Sequence, residues 1–264
     1  MNIIVRDAYR LVVEEWSRLS DGEREDLLEG RFGLLYSYNS GKIENDEITK
    51  HDTAEVFRNG RVCSFTGDVR TVFELQNLKR SWEQIRELAA SETKITAELI
   101  KSIHRTLTTG TYDERRWSAG ERPGEFKHGH YIVANDIGCE PGYSARLVAE
   151  LADEITEAIE MPRRDKALTI ACYAHAVLVD VHPFADGNGR CARALMNLCL
   201  LRCGHPPISI DERDRMAYYG ALDAFHEEGD LNALVELCRA EAVKTWQGAL
   251  PIEGNDVGAD DGNP

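Results

Sequence analysis

Apolar side chains recur at intervals of three and four along most of the chain, and strict alternation is scarce, a period that predicts a mainly helical protein. Residues 5–30 read as an amphipathic helix running into an acidic stretch, and 34–60 as one or two shorter helices. In 68–90, Val72, Leu75, Leu78, Trp82 and Ile85 fall on one face behind Asp68, a candidate N-cap. The helix predicted over 93–108 repeats Ile95, Leu99, Ile103 and Leu107 every four residues and stops at Gly110. Further helices are expected at 144–160, 165–181, 190–203, 213–226 and 230–247. The second of these is largely apolar but short, and it carries His175 and Asp180, so it belongs in a core and not in a membrane.

The helical period breaks between 110 and 143, where glycines accumulate with Pro123 and Pro141. Within that break Phe126 to His128 and Tyr131 to Val133 flank Gly129, which predicts a small β-hairpin. A lone hairpin is marginal unless something packs on it or pairs with it. The expected fold class is all-α, a helical bundle with a small β-hairpin flap.

Composition changes the picture more for partners than for the fold. With 264 residues, 42% of them hydrophobic and 29% charged, the chain can bury a sizeable core. Its formal charge of −15 repels phosphate backbones and anionic lipid, so neither nucleic acid nor a membrane is an expected partner. The seven cysteines are scattered, with no CxxC pair and no zinc spacing, and read as free thiols of a reducing compartment. Arginines and glutamates interrupt the apolar residues of the opening segment, which leaves no signal-peptide core and no span, and a cytoplasmic location is expected.

Candidate chemistry concentrates in one stretch, HPFADGNGRCAR at 182–193. The residue before a proline leaves the right-handed helical region, so His182 should end the preceding helix. Asp186 to Gly189 make a turn, and a new helix starts at its end. A helix start exposes N–H groups at the positive end of its dipole, which makes Asn188 and Gly189 a ready anion site. Arg190 and Arg193 share one face of that first turn, where they oppose the dipole; a di- or triphosphate among them resolves the conflict. Asp186 offers a hard oxygen ligand for Mg²⁺ bridging the phosphates, and His182 can take a proton from a hydroxyl nucleophile. Each residue alone is ordinary in a turn or on a helix face; their conjunction at one helix start is not. The stretch has no GxxxxGK[ST], no third glycine of a dinucleotide fingerprint and no acidic alternation of a calcium loop.

The string matches HxFx(D/E)GNGRxxR, the signature of Fic domains, at His182, Phe184, Asp186, Gly187, Asn188, Gly189, Arg190 and Arg193, and the similarity covers about residues 35–240. The resemblance implies a Fic fold and transfer of AMP from ATP to a Ser, Thr or Tyr hydroxyl of a target protein. In its terms His182 is the catalytic base and Asp186 the Mg²⁺ ligand. Gly187, Asn188 and Gly189 line the anion hole, Arg190 and Arg193 grip the phosphates, and Phe184 anchors the loop. The segment 124–133 resembles the family's flap, so Phe126, Lys127, Tyr131 and Val133 are expected to align a target by strand addition. Its "KHGHY" departs from the usual flap patterns and leaves the target class open.

Upstream, Ser40, Glu44 and Asn45 fit (S/T)xxxE(G/N), the self-inhibitory helix of many Fic proteins, expected here at about 38–50. Glu44 would pair with Arg193 where the γ-phosphate should bind, and a carboxylate there repels ATP. The implied organisation is an N-terminal helical region over 1–90 containing that helix, a Fic core over 91–207, C-terminal helices over 208–250 and a disordered acidic tail over 251–264. The expected partner is a target protein, which can be the chain itself, with a homodimer as a further expectation. The same pocket fits removal of AMP or transfer of another phosphate-containing group. A nucleotide-sensing, peptide-binding module without turnover is the alternative of another class, and it has no use for His182 or Asp186. His104 and His175, on apolar helices, are expected to be core residues, whereas His128 and His130 touch the target or face water.

Overall fold

Two helices, not one, occupy the first thirty residues of this computed structural model, which describes residues 3–62, 65–91, 93–131, 138–160 and 166–251. Helix α1 spans Ile3–Arg18 and α2 Asp21–Leu27. Ser20 starts α2 through a capping box: its hydroxyl accepts from the Glu23 N–H, and the Glu23 carboxylate accepts from the Ser20 N–H. A π-helical turn at Leu28–Phe32 leads into α3, Gly33–Lys42. The helix expected over 38–50 is not continuous. It ends at Lys42, and the Asn45 side chain accepts from the Glu47 N–H, which bends the chain into a turn before α4, Lys50–Asn59.

Helix α5 (Val69–Ala90) is capped by Asp68, whose carboxylate accepts from the Arg70 N–H. Helix α6 (Ala97–Thr108) starts later than its apolar period because Thr96 caps it through the Leu99 N–H. A short helix, α7 (Glu114–Ser118), stands within the glycine-rich break, capped by Asp113. The rest are α8 (Ser144–Glu160), α9 (Ala167–Val181), α10 (Asn188–Arg202), α11 (Arg215–Glu228) and α12 (Asn232–Trp246).

Helix α10 is the central rod, buried along almost its whole length, with α5, α6, α8 and α9 packed around it. A helix buried on all sides is stable only when so enclosed. One hydrophobic cluster runs from Val12 to Leu250, so the N-terminal, central and C-terminal helices share a core. Aromatic contacts tie them together: the Phe32 ring centre lies 4.7 Å from that of Trp82 and 5.6 Å from that of Trp246, which is 4.9 Å from Trp16. Each such pair adds about 1 kcal/mol to what burial alone contributes.

No strand forms among the described residues of the expected hairpin, 124–131. The Lys127 N–H donates to the Pro183 carbonyl, and the His128 and Gly129 N–H groups donate to the buried Glu121 carboxylate. The donors that a strand ladder requires are therefore used elsewhere. Val133 lies outside the described residues, as do Cys63 and 252–264 of the expected tail. Among the described residues the cysteines are free thiols, and no helix is long and apolar enough to cross a membrane.

Candidate active site

Helix α9 ends at His182 in a left-handed conformation, φ 48° and ψ 57°, with its N–H still reaching the Leu178 carbonyl at 3.2 Å. That conformation costs an L-residue about 1–2 kcal/mol, and it turns the chain sharply into the loop. The imidazole lines a cavity of about 920 Å³. Gly138 packs directly on His182, since a Cβ there would lie 2.4 Å from the His182 Cβ. The Cys139 N–H donates to the Val181 carbonyl and the Lys127 N–H to the Pro183 carbonyl, so Cys139 and Lys127 hold the chain on either side of His182.

The loop is closed by Asn188, whose Oδ1 accepts from the Phe184 N–H at 3.0 Å and whose Nδ2 donates to the Phe184 carbonyl at 2.8 Å. The Asn188 side chain is thereby committed to the loop, while the first backbone N–H groups of α10 have no acceptor within their own helix. Gly187 has φ 79°, and a Cβ on it would strike Thr108 Cγ2 at 2.6 Å. The buried Phe184 ring stacks on His104 with centres 3.7 Å apart. His104 Nδ1 accepts from the Gly124 N–H at 3.0 Å, so its Nε2–H donates to the Asp186 carbonyl at 2.8 Å. Burial depresses its pKa from 6.5 to about 4, which keeps this tautomer neutral. His104 is a core residue, as its apolar surroundings predicted, and it is also the clip that holds the loop.

The two arginines of the motif leave α10 in different directions. Arg193 is buried and reaches α3: Nε donates to Ser40 Oγ at 3.0 Å, and Nη2 donates to the Ser40 carbonyl at 2.9 Å and to Glu44 Oε1 at 2.8 Å. Its Nη1 donates to Tyr218 Oη at 3.2 Å, so the Tyr218 hydroxyl donates onward to His175 Nε2 at 3.0 Å. Burial pulls the Arg193 pKa down, but Tyr218 and Glu44 more than offset it, and the guanidinium stays charged. Glu44 Oε1 lies 2.5 Å from where a Cβ on Gly189 would sit, so the carboxylate rests on the start of α10. Arg190 turns instead toward α5, 3.2 Å from Glu74 and 3.4 Å from Asp186. Asn45 reaches α5: its Nδ2 donates to Thr71 Oγ1 at 3.0 Å and to Glu74 Oε2 at 2.8 Å.

Asp186 accepts from Arg70 at 2.8 Å and from the Gly187 N–H at 2.7 Å, with Arg116 at 3.6 Å. Burial pushes its pKa up, and Arg190, Arg70 and Arg116 together hold it below the usual carboxylate range. Among the described residues no cluster of three candidate ligands could hold a metal on its own. One ionised carboxylate among guanidiniums fits Mg²⁺ that arrives with phosphate oxygens and keeps its waters, and it does not fit a resident cation. Arg70, Glu74, Arg116 and Tyr218 are site residues that sequence reasoning missed. Arg70 and Glu74 look there like an ordinary i,i+4 surface pair.

The flap residues point in unlike directions. Phe126 packs on Phe184, ring centres 5.6 Å apart, and Lys127 is buried, so both serve the core side of the segment. Tyr131 lines the cavity and donates its hydroxyl to Glu121 at 2.7 Å, and burial with that carboxylate pushes its pKa up to about 12. The cavity continues between α9 and α11, where Val179, Leu222 and Phe225 give it apolar walls.

Residues 94–200 match the Fic/DOC family. The protein adenylyltransferase Fic of Drosophila persimilis is 28% identical over 240 residues, 91% of this chain and 44% of the relative. That of Drosophila willistoni is 29% identical over 208 residues, 79% of this chain and 40% of the relative. The chain thus spans less than half the length of these relatives. Among solved structures, Fic-1 from C. elegans superposes with a TM-score of 0.74 at 24% identity, covering 92% of this chain and 71% of that one. A Fic domain-containing signaling protein from Bacteroides thetaiotaomicron gives 0.74 at 21% identity, covering 91% and 95%. The helical fold is that of Fic proteins.

Proposed function

We propose that this chain, whose residues 94–200 match the Fic/DOC family, transfers AMP from ATP to a hydroxyl of a protein and that Glu44 holds it inactive. One observation carries this reading. The start of α10, an anion site by its N–H groups and arginines, already holds an anion of the chain's own, the Glu44 carboxylate 2.8 Å from Arg193 and against Gly189.

In the active form ATP lies with its phosphates over the start of α10, where the Asn188 and Gly189 N–H groups and Arg190 meet them. The apolar slot between α9 and α11 takes the nucleoside. When bound, Mg²⁺ would be held by Asp186 together with phosphate oxygens and would neutralise charge on the departing pyrophosphate. The target hydroxyl attacks the α-phosphorus in line while His182 takes its proton. The new P–O bond forms, the bond to the β-phosphate oxygen breaks, and pyrophosphate leaves. The target segment lies along 128–131, the stretch that Glu121 holds in shape, with Tyr131 at the cavity wall. With Glu44 seated, Arg193 cannot receive the γ-phosphate and the carboxylate repels it, so ATP binds out of line.

The test uses ATP labelled in the α or the γ position with the Glu44→Gly chain, alone and with candidate targets. Label from the α position alone is expected, with loss of transfer and retained ATP binding when His182→Ala is added. Transfer of γ label would make the enzyme a kinase, and undiminished transfer without His182 would remove the imidazole from the mechanism. A mass gain on the target other than adenylyl would move the reading to another phosphate-containing group.

A further inference from the structure

The charges around the loop form a ring that the motif does not contain. Glu74 on α5 has a side chain only 5% exposed. Its Oε1 accepts from Arg70 Nε at 3.0 Å and lies 3.2 Å from Arg190 Nη1. Arg70 and Arg190 both also reach Asp186, at 2.8 and 3.4 Å, which closes the ring. The other oxygen of Glu74, Oε2, accepts from Asn45 Nδ2 at 2.8 Å. One buried carboxylate therefore holds a phosphate-binding arginine with one oxygen and, with the other, the residue next to Glu44. A buried carboxylate so partnered cannot be removed without cost to both sides: Arg70 and Arg190 keep only Asp186 of the two carboxylates, and the Asn45 amide keeps only Thr71 Oγ1.

We propose that Glu74 is a positioning residue that joins the nucleotide clamp to the inhibitory turn. It aims Arg190 at the phosphates and, through Asn45, keeps Glu44 seated on Arg193. The inference rests on the adenylyl-transfer reading for what the clamp holds, but it can be read without any transfer.

Two measurements separate the arms. The first is the affinity of a non-hydrolysable ATP analogue, taken in the Glu44→Gly background so that the inhibitory carboxylate does not interfere. The second is amide exchange at 43–45, where the Ile43, Glu44 and Asn45 N–H groups donate to the Asn39 and Gly41 carbonyls. Glu74→Ala should weaken the analogue about tenfold and speed exchange at 43–45 about tenfold, the effect of losing one charge-assisted contact in each arm. Asn45→Ala should speed that exchange alike and leave analogue affinity within about twofold, since it cuts only one arm. Exchange in α5 beyond Leu78 and in α6 should not change in either.

The proposal is overturned if Glu74→Ala leaves either readout where it was, or if Asn45→Ala weakens the analogue as much as Glu74→Ala does. If Glu74→Ala loosens α5 throughout, Glu74→Gln, which keeps the volume, decides. Weakened analogue with α5 protected supports the proposal, and unchanged affinity overturns it. Absence of adenylyl transfer in every variant would instead sink the transfer reading and leave both of these readouts intact.

Discussion

Replacing Glu44 by Gly separates what the carboxylate does to the fold from what it does to ATP. Arg193 would keep the Ser40 hydroxyl, the Ser40 carbonyl and the Tyr218 hydroxyl, so its guanidinium stays in place with its charge uncompensated. The Arg193 side chain is 2% exposed and that of Glu44 34%, so leaving the buried guanidinium without its carboxylate costs the fold on the order of 1–3 kcal/mol, below the loss for a fully buried pair. For the nucleotide the change has the opposite sign. Two like charges about 4 Å apart repel by about 1 kcal/mol in bulk water and about 4 kcal/mol at an effective dielectric of 20, and this half-exposed pocket lies between. Productive ATP binding should therefore improve roughly fivefold to several hundredfold. Label transfer from α-labelled ATP and calorimetric ATP binding measure it, with Glu44→Gln as control. Gln keeps the contact with Gly189 and removes only the charge, so it should fall between wild type and Gly. Equal transfer and equal binding in wild type and Glu44→Gly would refute the electrostatic reasoning; a Gln variant no different from wild type would show that bulk, not charge, closes the site.

Three further outcomes follow from the loop. His104 has its pKa depressed from 6.5 to about 4, so its contribution to stability is complete above pH 6.5 and is lost as pH falls toward 4, by an amount on the order of a few kcal/mol. Urea unfolding across that window should show the slope, and His104→Gln should reduce it; an unchanged slope counts against the assignment. Gly187→Ala combines φ 79° with a contact 2.6 Å from Thr108 Cγ2, and should lower stability by about 2–4 kcal/mol, read as a fall in Tm. Tyr218→Phe removes the hydroxyl between Arg193 and His175 and leaves buried groups unpaired, at about 1–3 kcal/mol in urea unfolding; a variant as stable as its parent would mean that the contact is idle.

The sequence already disclosed the helices of which one face is buried, as in α5, α6, α8, α11 and α12, because a period of three and four is the imprint of one-sided burial, and the enclosed α9 and α10 by their apolar runs and their ends. It disclosed the junction at 182–193 for the same kind of reason: a helix end, a glycine turn and a helix start are short-range geometry. Where side chains reach across the fold, periodicity had nothing to say. Glu121 and the Pro183 carbonyl take the backbone donors of 127–129, where a strand and its turn were expected, and no local pattern announces such capture. Arg190 and Arg193 stand on one helix face in the sequence, yet tertiary packing sends one to Glu74 on α5 and the other to Ser40 in α3 and Glu44 just beyond it. Arg70, Glu74, Arg116 and His104 become site residues only because α5, α6 and α7 bring them to the loop that precedes α10. Local conformation is decided by neighbours in sequence, whereas a buried charge must be compensated by whatever folding brings beside it.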